Sequence, residues 1–305
     1  MPINRIKLIV NPNADLGRAR HGAADLRPII EEFGGADWAG TVYPTHAVEL
    51  AYQAAEEGYE LVVAMGGDGT VHEVVNGLMK VPADRRPKLG VVPLGSGNDF
   101  SYAIGMDRRP AYALRQVLNG KPMQVDIGRF RDNLGRIEYF TNAIGIGFDT
   151  VVTIRSRRIT LLRGFLIYLV AVIQTIIFNH DAPRMQVSTD LETWDQEMLL
   201  LVLCNGSREG GGFRVQPLAR PDDGIFHYAG VRKVSRPMMF RLVPEVMKGT
   251  HGRFSQVRMG EFHRMDLAAD KPLYIHTDGE IFAGFGMDVR QLSVEILPGE
   301  IEVVV

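Results

Sequence analysis

The stretch that decides the fold is LVVAMGGDGTVHEVVNG, residues 61–77. Its apolar, β-branched start predicts a buried strand over Leu61–Ala64, and the pattern after the turn predicts a helix over Val71–Met79. Between them lies the glycine-rich turn Gly66–Thr70, whose backbone N–H groups can approach a polyphosphate beside a helix N-terminus. The stretch therefore predicts a phosphate-binding loop. The alternative is a plain glycine turn in which Asp68 caps the helix.

A second glycine-rich loop, Gly95–Asp99, follows a predicted strand over Lys88–Pro93. Loops at the carboxyl ends of neighbouring parallel strands share one edge of the sheet, so both loops are expected to bind one nucleotide. Asp68 is suited to hold a magnesium ion or to take a proton from an attacking hydroxyl. The alternative for Asn98 and Asp99 is that they only cap the next helix.

The order of predicted elements divides the chain into two parts. Short β-branched runs alternate with helical stretches, such as the helix predicted over Ala19–Phe33, in residues 1–122. This alternation predicts an α/β nucleotide-binding domain of Rossmann-like type. Residues 123–305 show closely spaced strands interrupted only by one apolar helix, which predicts an antiparallel β-sandwich. Whether the last strand of the chain pairs with the sheet of the first domain is left open by the sequence. The strands predicted for the second part are Gln124–Phe130, Ile137–Ile144, Arg184–Thr189, Glu197–Cys204, Gly224–Val231, Leu273–Thr277 and Leu292–Val305.

Composition restricts the classes of function. The 305 residues carry a formal net charge of -2, which gives no general electrostatic reason to bind nucleic acid. A single cysteine, Cys204, excludes an intramolecular disulfide and favours a reducing, cytoplasmic setting. The eight histidines show no spacing typical of a metal site.

The apolar segment Ile159–Phe178 approaches the length that spans a bilayer. Three interpretations remain open: a buried helix of the second domain, a helix on the membrane surface, and a membrane span.

The two glycine loops belong to a larger set of motifs that occur in order along the chain. They are Asn11-Pro12 with Gly17, Gly66–Thr70, Pro93–Asp99, Asn142–Asp149, Asp223-Gly224 and Asp278-Gly279-Glu280. This ordered set resembles the diacylglycerol kinase catalytic-domain family, which includes bacterial lipid kinases and the sphingosine and ceramide kinases. The Gly-Gly-Asp-Gly-Thr string alone is also similar to NAD kinases.

The resemblance implies the cofactors ATP and Mg²⁺ and three groups of site residues. ATP is implied to contact Asn11, Thr45, Gly66, Gly67, Asp68, Gly69, Thr70, Glu73, Gly95, Ser96, Asn98 and Asp99. The family usually has threonine where this chain has Ser96, and serine keeps the hydroxyl. A carboxylate must accept the proton of the acceptor hydroxyl, and the candidates are Asp278, Glu280 and Asp68. A structural magnesium is implied at the Asp223 carboxylate and the Arg220 and Ile225 carbonyls; Asp149 is a weaker candidate for the acidic network.

The expected function is transfer of the γ-phosphoryl group from ATP to the hydroxyl of a diacylglycerol-like lipid. The expected partners are a lipid at a membrane surface and a second copy of the chain, with peripheral membrane association and no nucleic acid. Two alternatives are kept: an NAD kinase-like enzyme with a soluble acceptor, and a lipid- or nucleotide-binding module without catalysis.

Overall fold

The computed structural model describes residues 5–15, 17–159, 161–162 and 164–305. The chain divides into two compact units. The first runs to Ile127 and includes Pro298–Val305, and the second is Gly128–Leu297.

The first unit is built on a parallel sheet. Its strands are β1 Ile6–Val10, β2 Asp37–Gly40, β3 Leu61–Gly66 and β4 Lys88–Pro93. Its helices are α1 Ala19–Ala24, α2 Arg27–Glu32, α3 His46–Glu56, α4 Asp68–Leu78, α5 Asp99–Ala103 and α6 Pro110–Asn119, with a short 3₁₀ turn at Ala83–Arg85.

The strand order β2-β1-β3-β4 places the two glycine loops side by side. All four strands run parallel, and Gly66 at the end of β3 pairs with Pro93 at the end of β4. Val303 pairs in parallel with Leu89 of β4, so the end of the chain belongs to this sheet. Every residue of β3 is buried, because helices cover both faces of such a sheet.

One predicted helix of this unit was wrong in its extent. The sequence predicts a single helix over Ala19–Phe33, whereas α1 ends at Ala24 and α2 begins at Arg27. Pro28 lies in the first turn of α2, where its missing N–H costs no helical hydrogen bond. The same proline would break a continuous helix, which explains the division.

The second unit is predominantly β-structure. Its strands, together with two that cross the boundary between the units, are β5 Pro122–Asp132, β6 Ile137–Phe140, β7 Ala143–Gly147, β8 Arg184–Thr189, β9 Thr193–Cys204, β10 Phe226–Arg232, β11 Val257–Phe262, β12 Arg264–Ala269, β13 Ile275–Thr277, β14 Glu280–Ala283 and β15 Gln291–Val304. Its helices are α7 Phe148–Ser156, α8 Phe165–Phe178 and α9 Arg236–Lys248, with a 3₁₀ turn at His251–Arg253.

Strand β9 joins the two sheets of this unit. Its first half pairs with β8, and its second half pairs with β7 and β10, all antiparallel. Strand β8 continues to β12 and β15, while β7 continues to β13 and β14. A buried core that includes Phe140, Phe226 and Phe262 fills the space between these strands. The predicted combination of an α/β unit and an antiparallel β-sandwich is confirmed.

The expectation that only one helix interrupts the second part was wrong, since α7 and α9 do so as well. Pro244 lies inside α9 and obscures its helical pattern. The apolar helix α8 starts at Phe165, later than the expected Ile159, and Arg163 of that prediction lies outside the described residues. Within the described part of the chain, no helix combines the length and apolar character needed to cross a bilayer.

Candidate functional site

The carboxyl ends of β1, β3 and β4 carry most of the residues predicted to bind the nucleotide. The amide of Asn11, after β1, donates to the Met65 carbonyl at 3.0 Å, and the amide of Leu94, after β4, donates to the Gly66 carbonyl at 2.7 Å. These bonds continue the sheet into the loops. The structure therefore brings Asn11 and both glycine loops to one edge of the sheet.

The two glycine loops are in direct backbone contact. A Cβ atom on Gly95 would lie 2.3 Å from the Cα atom of Gly67. A Cβ atom on Gly66 would lie 2.2 Å from Oγ1 of Thr70, which in turn accepts a hydrogen bond from Nδ2 of Asn11 at 3.2 Å. Close packing thus requires glycine at positions 66 and 95. A turn that only needs glycine for its backbone angles would not show such contacts.

Asp68 connects the first loop to the second. It is the first residue of α4, and its Oδ1 accepts the amide hydrogen of Phe100 in α5 at 3.2 Å. Asn98 closes the second loop on itself, because its side chain both accepts from the Gly95 amide at 3.1 Å and donates to the Gly95 carbonyl at 2.7 Å. Asn98 adopts φ 54°, a left-handed conformation that asparagine tolerates better than most residues.

Thr45 and Glu73 meet although they are far apart in sequence. The Glu73 carboxylate accepts the amide hydrogens of Thr45 at 2.9 Å and of Ala47 at 3.0 Å, at the start of α3. Glu73 therefore caps a helix that begins with Thr45 in a left-handed conformation, φ 70°. Gly69 lies in the first turn of α4, Asp99 is buried at the start of α5, and Ser96 is exposed.

The arrangement of this edge suits an anion. Helix α4 begins at Asp68, three residues before the predicted start at Val71, so its N-terminal backbone amides belong to the first glycine loop. A helix N-terminus carries a partial positive charge. An acidic side chain in the same turn would repel a bare phosphate, whereas a phosphate accompanied by a divalent cation would be attracted.

In the second unit, Asp278 anchors the acidic turn between β13 and β14. Its buried carboxylate accepts hydrogen bonds from the amide of Thr141 at 2.9 Å and from the Thr141 hydroxyl at 3.1 Å. It also accepts the amide hydrogens of Asn142 at 2.8 Å and Ala143 at 3.0 Å. These bonds explain why the predicted strand Ile137–Ile144 is divided into β6 and β7. The backbone between them turns its N–H groups to Asp278 and away from a strand partner.

Glu280 has a different environment. Its side chain is 46% exposed and forms an ion pair with Arg157, with Oε2 and Nη2 2.6 Å apart. The same Nη2 donates to the Gly279 carbonyl at 2.9 Å. Arg157, at the end of α7, therefore holds the acidic turn from outside, a role that sequence reasoning missed because nothing in the local pattern connects it to residue 280.

His276 lies at the centre of a cluster with Asp149 and Glu209. Its Nε2 is 2.8 Å from Oδ2 of Asp149 and 3.3 Å from Oε1 of Glu209, and these three ligand-type atoms lie within 4.8 Å of one another. Burial, together with the negative charges of Glu209 and Asp149, raises the pKa of the nearby Cys204 thiol well above its usual value. Of its members only Asp149 was a candidate from the sequence, and the cluster itself was missed because its members are 60 or more residues apart.

The spacing of this cluster would fit a metal ion, but the hydrogen bonding of His276 opposes it. The amide of Gly279 donates to Nδ1 of His276 at 3.3 Å, so the proton of the neutral ring lies on Nε2. A metal at Nε2 would move that proton to Nδ1 and set it against the Gly279 N–H. We therefore assign the cluster as a hydrogen bond between His276 and Asp149 beside the negative charge of Glu209.

The residues predicted to hold a structural magnesium lie in an exposed turn. Oδ1 of Asp223 accepts the amide hydrogen of Ile225 at 3.3 Å, which keeps these two residues close. The Arg220 side chain pairs with Asp222 at 3.1 Å. Carboxylate and carbonyl oxygens are suitable ligands for a hard cation, so the donor set of this turn fits such an ion.

Comparison with protein families gives two matches that together cover most of the chain. Residues 5–130 match the diacylglycerol kinase catalytic domain. Residues 142–305 match the YegS C-terminal NAD kinase beta sandwich-like domain.

Two relatives illustrate the similarity in sequence. A Chromohalobacter salexigens protein named "Probable lipid kinase YegS-like" is 34% identical over 242 residues, which are 76% of this chain and 73% of the relative. A Bacillus subtilis diacylglycerol kinase is 27% identical over 288 residues, 91% of this chain and 90% of the relative.

Two solved structures illustrate the similarity in fold. A diacylglycerol kinase from Bacillus anthracis superimposes with a TM-score of 0.72 at 20% identity, covering 98% of this chain and 96% of that one. Yeast NADH kinase in complex with NADH gives a TM-score of 0.53 at 11% identity, covering 100% of this chain and 84% of that one.

Proposed function

Because the chain belongs to the diacylglycerol kinase catalytic-domain family, we propose that it transfers the γ-phosphoryl group of ATP to a hydroxyl of a diacylglycerol-like lipid. Membership bears out the resemblance seen in the motifs and makes the chain a lipid kinase by family. The identity of the donor and of the acceptor is our proposal.

The observation that carries the proposal is the contact between the two glycine loops. With Gly67 and Gly95 touching, both loops present their backbone to the same region, at the start of α4. We assign the phosphates of ATP to this region. Thr45 and Ser96 would contact the rest of the nucleotide, and Glu73 supports Thr45 through its amide.

Magnesium is the divalent ion that we propose for this site. When bound, Mg²⁺ would neutralise the charge that develops on the phosphate oxygens during transfer. Asp68 would hold it, with Asp99 assisting. The Phe100 amide donates to Oδ1 of Asp68, so this carboxylate has a fixed orientation before any ligand arrives. A second, structural magnesium would occupy the turn of Arg220, Asp223 and Ile225.

The acceptor hydroxyl must lose a proton as the new P–O bond forms. Asp278, Glu280 and Asp68 remain the candidates for this base. These candidates differ in their contacts: the Asp278 carboxylate is buried and accepts hydrogen bonds from Thr141, Asn142 and Ala143, whereas Glu280 forms an ion pair with Arg157 and is half exposed. A Glu280→Gln variant should therefore report on proton transfer without loss of the fold.

An exposed apolar stripe on α8 supports a lipid acceptor at a membrane surface. Leu166, Ile173 and Ile177 are 54%, 39% and 48% exposed, and their spacing of seven and four residues places them on one face of the helix. We call this face the α8 stripe. The exposed cation Arg158 follows α7 and precedes this stripe in sequence, which favours an anionic bilayer as its partner.

The test is transfer of labelled γ-phosphate from Mg-ATP to a panel of lipids in mixed micelles, beside NAD and a control without acceptor. The panel contains diacylglycerol, phosphatidylglycerol, a sphingoid base and a polyprenyl alcohol. A labelled lipid is expected. Label on NAD would replace the proposal with the NAD kinase-like alternative, which the Gly-Gly-Asp-Gly-Thr string keeps open. ATP binding with no labelled product in any arm would indicate a binding module.

A further inference from the structure

The imidazole of His276 is fixed in a single tautomer. Its side chain is 2% exposed, and its Nδ1 accepts the amide hydrogen of Gly279. A neutral imidazole has one N–H, so that proton lies on Nε2 and points to Asp149 at 2.8 Å. Glu209, 3.3 Å from the same Nε2, also attracts this proton. The Asp149 carboxylate thus accepts the N–H of the ring on the side away from Gly279, and the negative charge of Glu209 favours the same orientation.

The absence of a side chain at Gly145 makes room for the hydrogen bond between His276 and Asp149. Gly145 in β7 lies directly opposite His276 in β13. A Cβ atom on Gly145 would lie 2.1 Å from Oδ2 of Asp149 and 2.1 Å from Nε2 of His276. Any side chain at position 145 would therefore displace the hydrogen bond between Asp149 and His276.

The Nδ1 side of the imidazole contacts the turn that contains Asp278 and Gly279. Asp278 adopts φ 49° and Gly279 adopts φ 85°, so both residues are in the left-handed region. Such a conformation in a residue other than glycine persists only where the surroundings enforce it. The Gly279 amide is held by His276 and the Gly279 carbonyl by Arg157, so both sides of this residue are fixed.

We infer that His276 is a positioning residue that, oriented by Asp149 and Glu209, holds the Gly279 amide and thereby directs the carboxylates of Asp278 and Glu280. Its effect on catalysis rests on the proposed function, because it requires that this turn act in phosphoryl transfer. The tautomer and the hold on the Gly279 amide rest on the geometry of the second unit alone.

Two substitutions separate the two hydrogen bonds of the ring. In His276→Asn, the amide oxygen can take the position of Nδ1 and accept the Gly279 N–H, while the donor to Asp149 is lost. In His276→Gln, the terminal amide can replace the Nε2 donor, while the acceptor for Gly279 is lost. Each of these two variants serves as the control for the other, because each keeps the hydrogen bond that the other loses. His276→Ala removes both hydrogen bonds.

The first measurement is amide hydrogen exchange of Gly279, which needs no substrate. Exchange should be slow in the wild type and in His276→Asn, and faster by about five- to tenfold in His276→Gln and His276→Ala, as expected for one hydrogen bond. Nitrogen-15 spectra of the histidine ring should show protonated Nε2 and unprotonated Nδ1 in the wild type. Equal exchange in all four proteins, or a proton on Nδ1, would overturn the inference.

The second measurement is lipid phosphorylation by the same proteins. The kcat of His276→Gln should fall by about five- to tenfold relative to the wild type, with the KM for ATP unchanged. His276→Asn should keep most of the wild-type kcat. Equal kcat values in the Asn and Gln variants would refute the positioning role. A wild type that phosphorylates no lipid would instead refute the proposed function, and hydrogen exchange would still decide whether His276 holds the turn.

Discussion

Gly95 lies against Gly67 so closely that the two loops have no room for a side chain between them. A Cβ atom on Gly95 would also lie 3.0 Å from Oδ1 of Asn98, the atom that closes the second loop. The neighbours in question are mostly backbone, which cannot rotate away. The proposed phosphate site therefore depends on the absence of two methyl groups as much as on the presence of any side chain.

Gly95→Ala should weaken ATP binding by about tenfold or more, because the methyl group would push the loops apart. Isothermal titration calorimetry with Mg-ATP measures this effect. Gly40→Ala is the matched control: Gly40 ends β2, and a Cβ atom there meets nothing within 4 Å. Equal affinities of the two variants would refute the assignment of the phosphates to these loops.

Asp68→Asn should lower kcat by at least about 100-fold while the protein stays folded. Asparagine keeps an oxygen that can accept the Phe100 amide, so the variant removes charge and preserves the contact. Turnover and thermal unfolding are measured together. Asp84→Asn, at an exposed position in the same unit, should match the wild type in both. Normal turnover of Asp68→Asn would exclude Asp68 from metal binding and proton transfer.

The elements that sequence reasoning predicted well are those governed by local pattern. Strands Lys88–Pro93 and Arg184–Thr189 have the bounds that their apolar patterns indicate. Some errors have a local cause, such as Pro28 in the predicted helix Ala19–Phe33. Others arise where a residue distant in sequence decides the local structure. Asp278 divides a predicted strand by taking the amides of Asn142 and Ala143, and no pattern around residue 142 reveals this.

The same distinction applies to the candidate site. The glycine loops can be identified from sequence because close backbone approach requires several glycines within a few residues. The group formed by Asp149, Glu209 and His276 could not, since its members come from α7, the segment after β9, and β13. Only the pairing of β7 with β13 and β9 brings these segments together.

Asp278→Asn should lower the free energy of unfolding by about 2–3 kcal/mol, because an amide NH₂ would face one of the N–H groups that the carboxylate now accepts. Asparagine tolerates the left-handed conformation of this position, so the loss reports on hydrogen bonds and not on the backbone. Urea denaturation measures it. Asp288→Asn, whose side chain is 68% exposed, should change stability by less than about 0.5 kcal/mol. A similarly small change in Asp278→Asn would disprove the anchoring role.

Asp190 should stabilise the second unit at neutral pH and lose this stabilising effect in acid. Burial of the Asp190 carboxyl raises its pKa. Hydrogen bonds from the amides of Arg264 and His263 and from the His263 imidazole lower this pKa by more than burial raises it, to about 2 from an ordinary value of 3.8. A depressed pKa in the folded state stabilises the protein above pH ~4, and this contribution disappears as the pH falls from about 4 to about 2. The difference in unfolding free energy between wild type and Asp190→Asn should therefore shrink between pH 5 and pH 2.5. A constant difference over that range would contradict the prediction.

The α8 stripe should bind lipid vesicles. Replacing Ile173 and Ile177 together with glutamine removes apolar area that we expect to enter the bilayer surface, and affinity for phosphatidylcholine vesicles containing phosphatidylglycerol should fall by at least about tenfold. Both side chains are substantially exposed, so the unfolding temperature should change little. Leu191→Gln is the matched control, since Leu191 is 60% exposed in the turn between β8 and β9, away from the stripe. If the double variant and the control sediment with vesicles as the wild type does, the stripe is not the membrane contact.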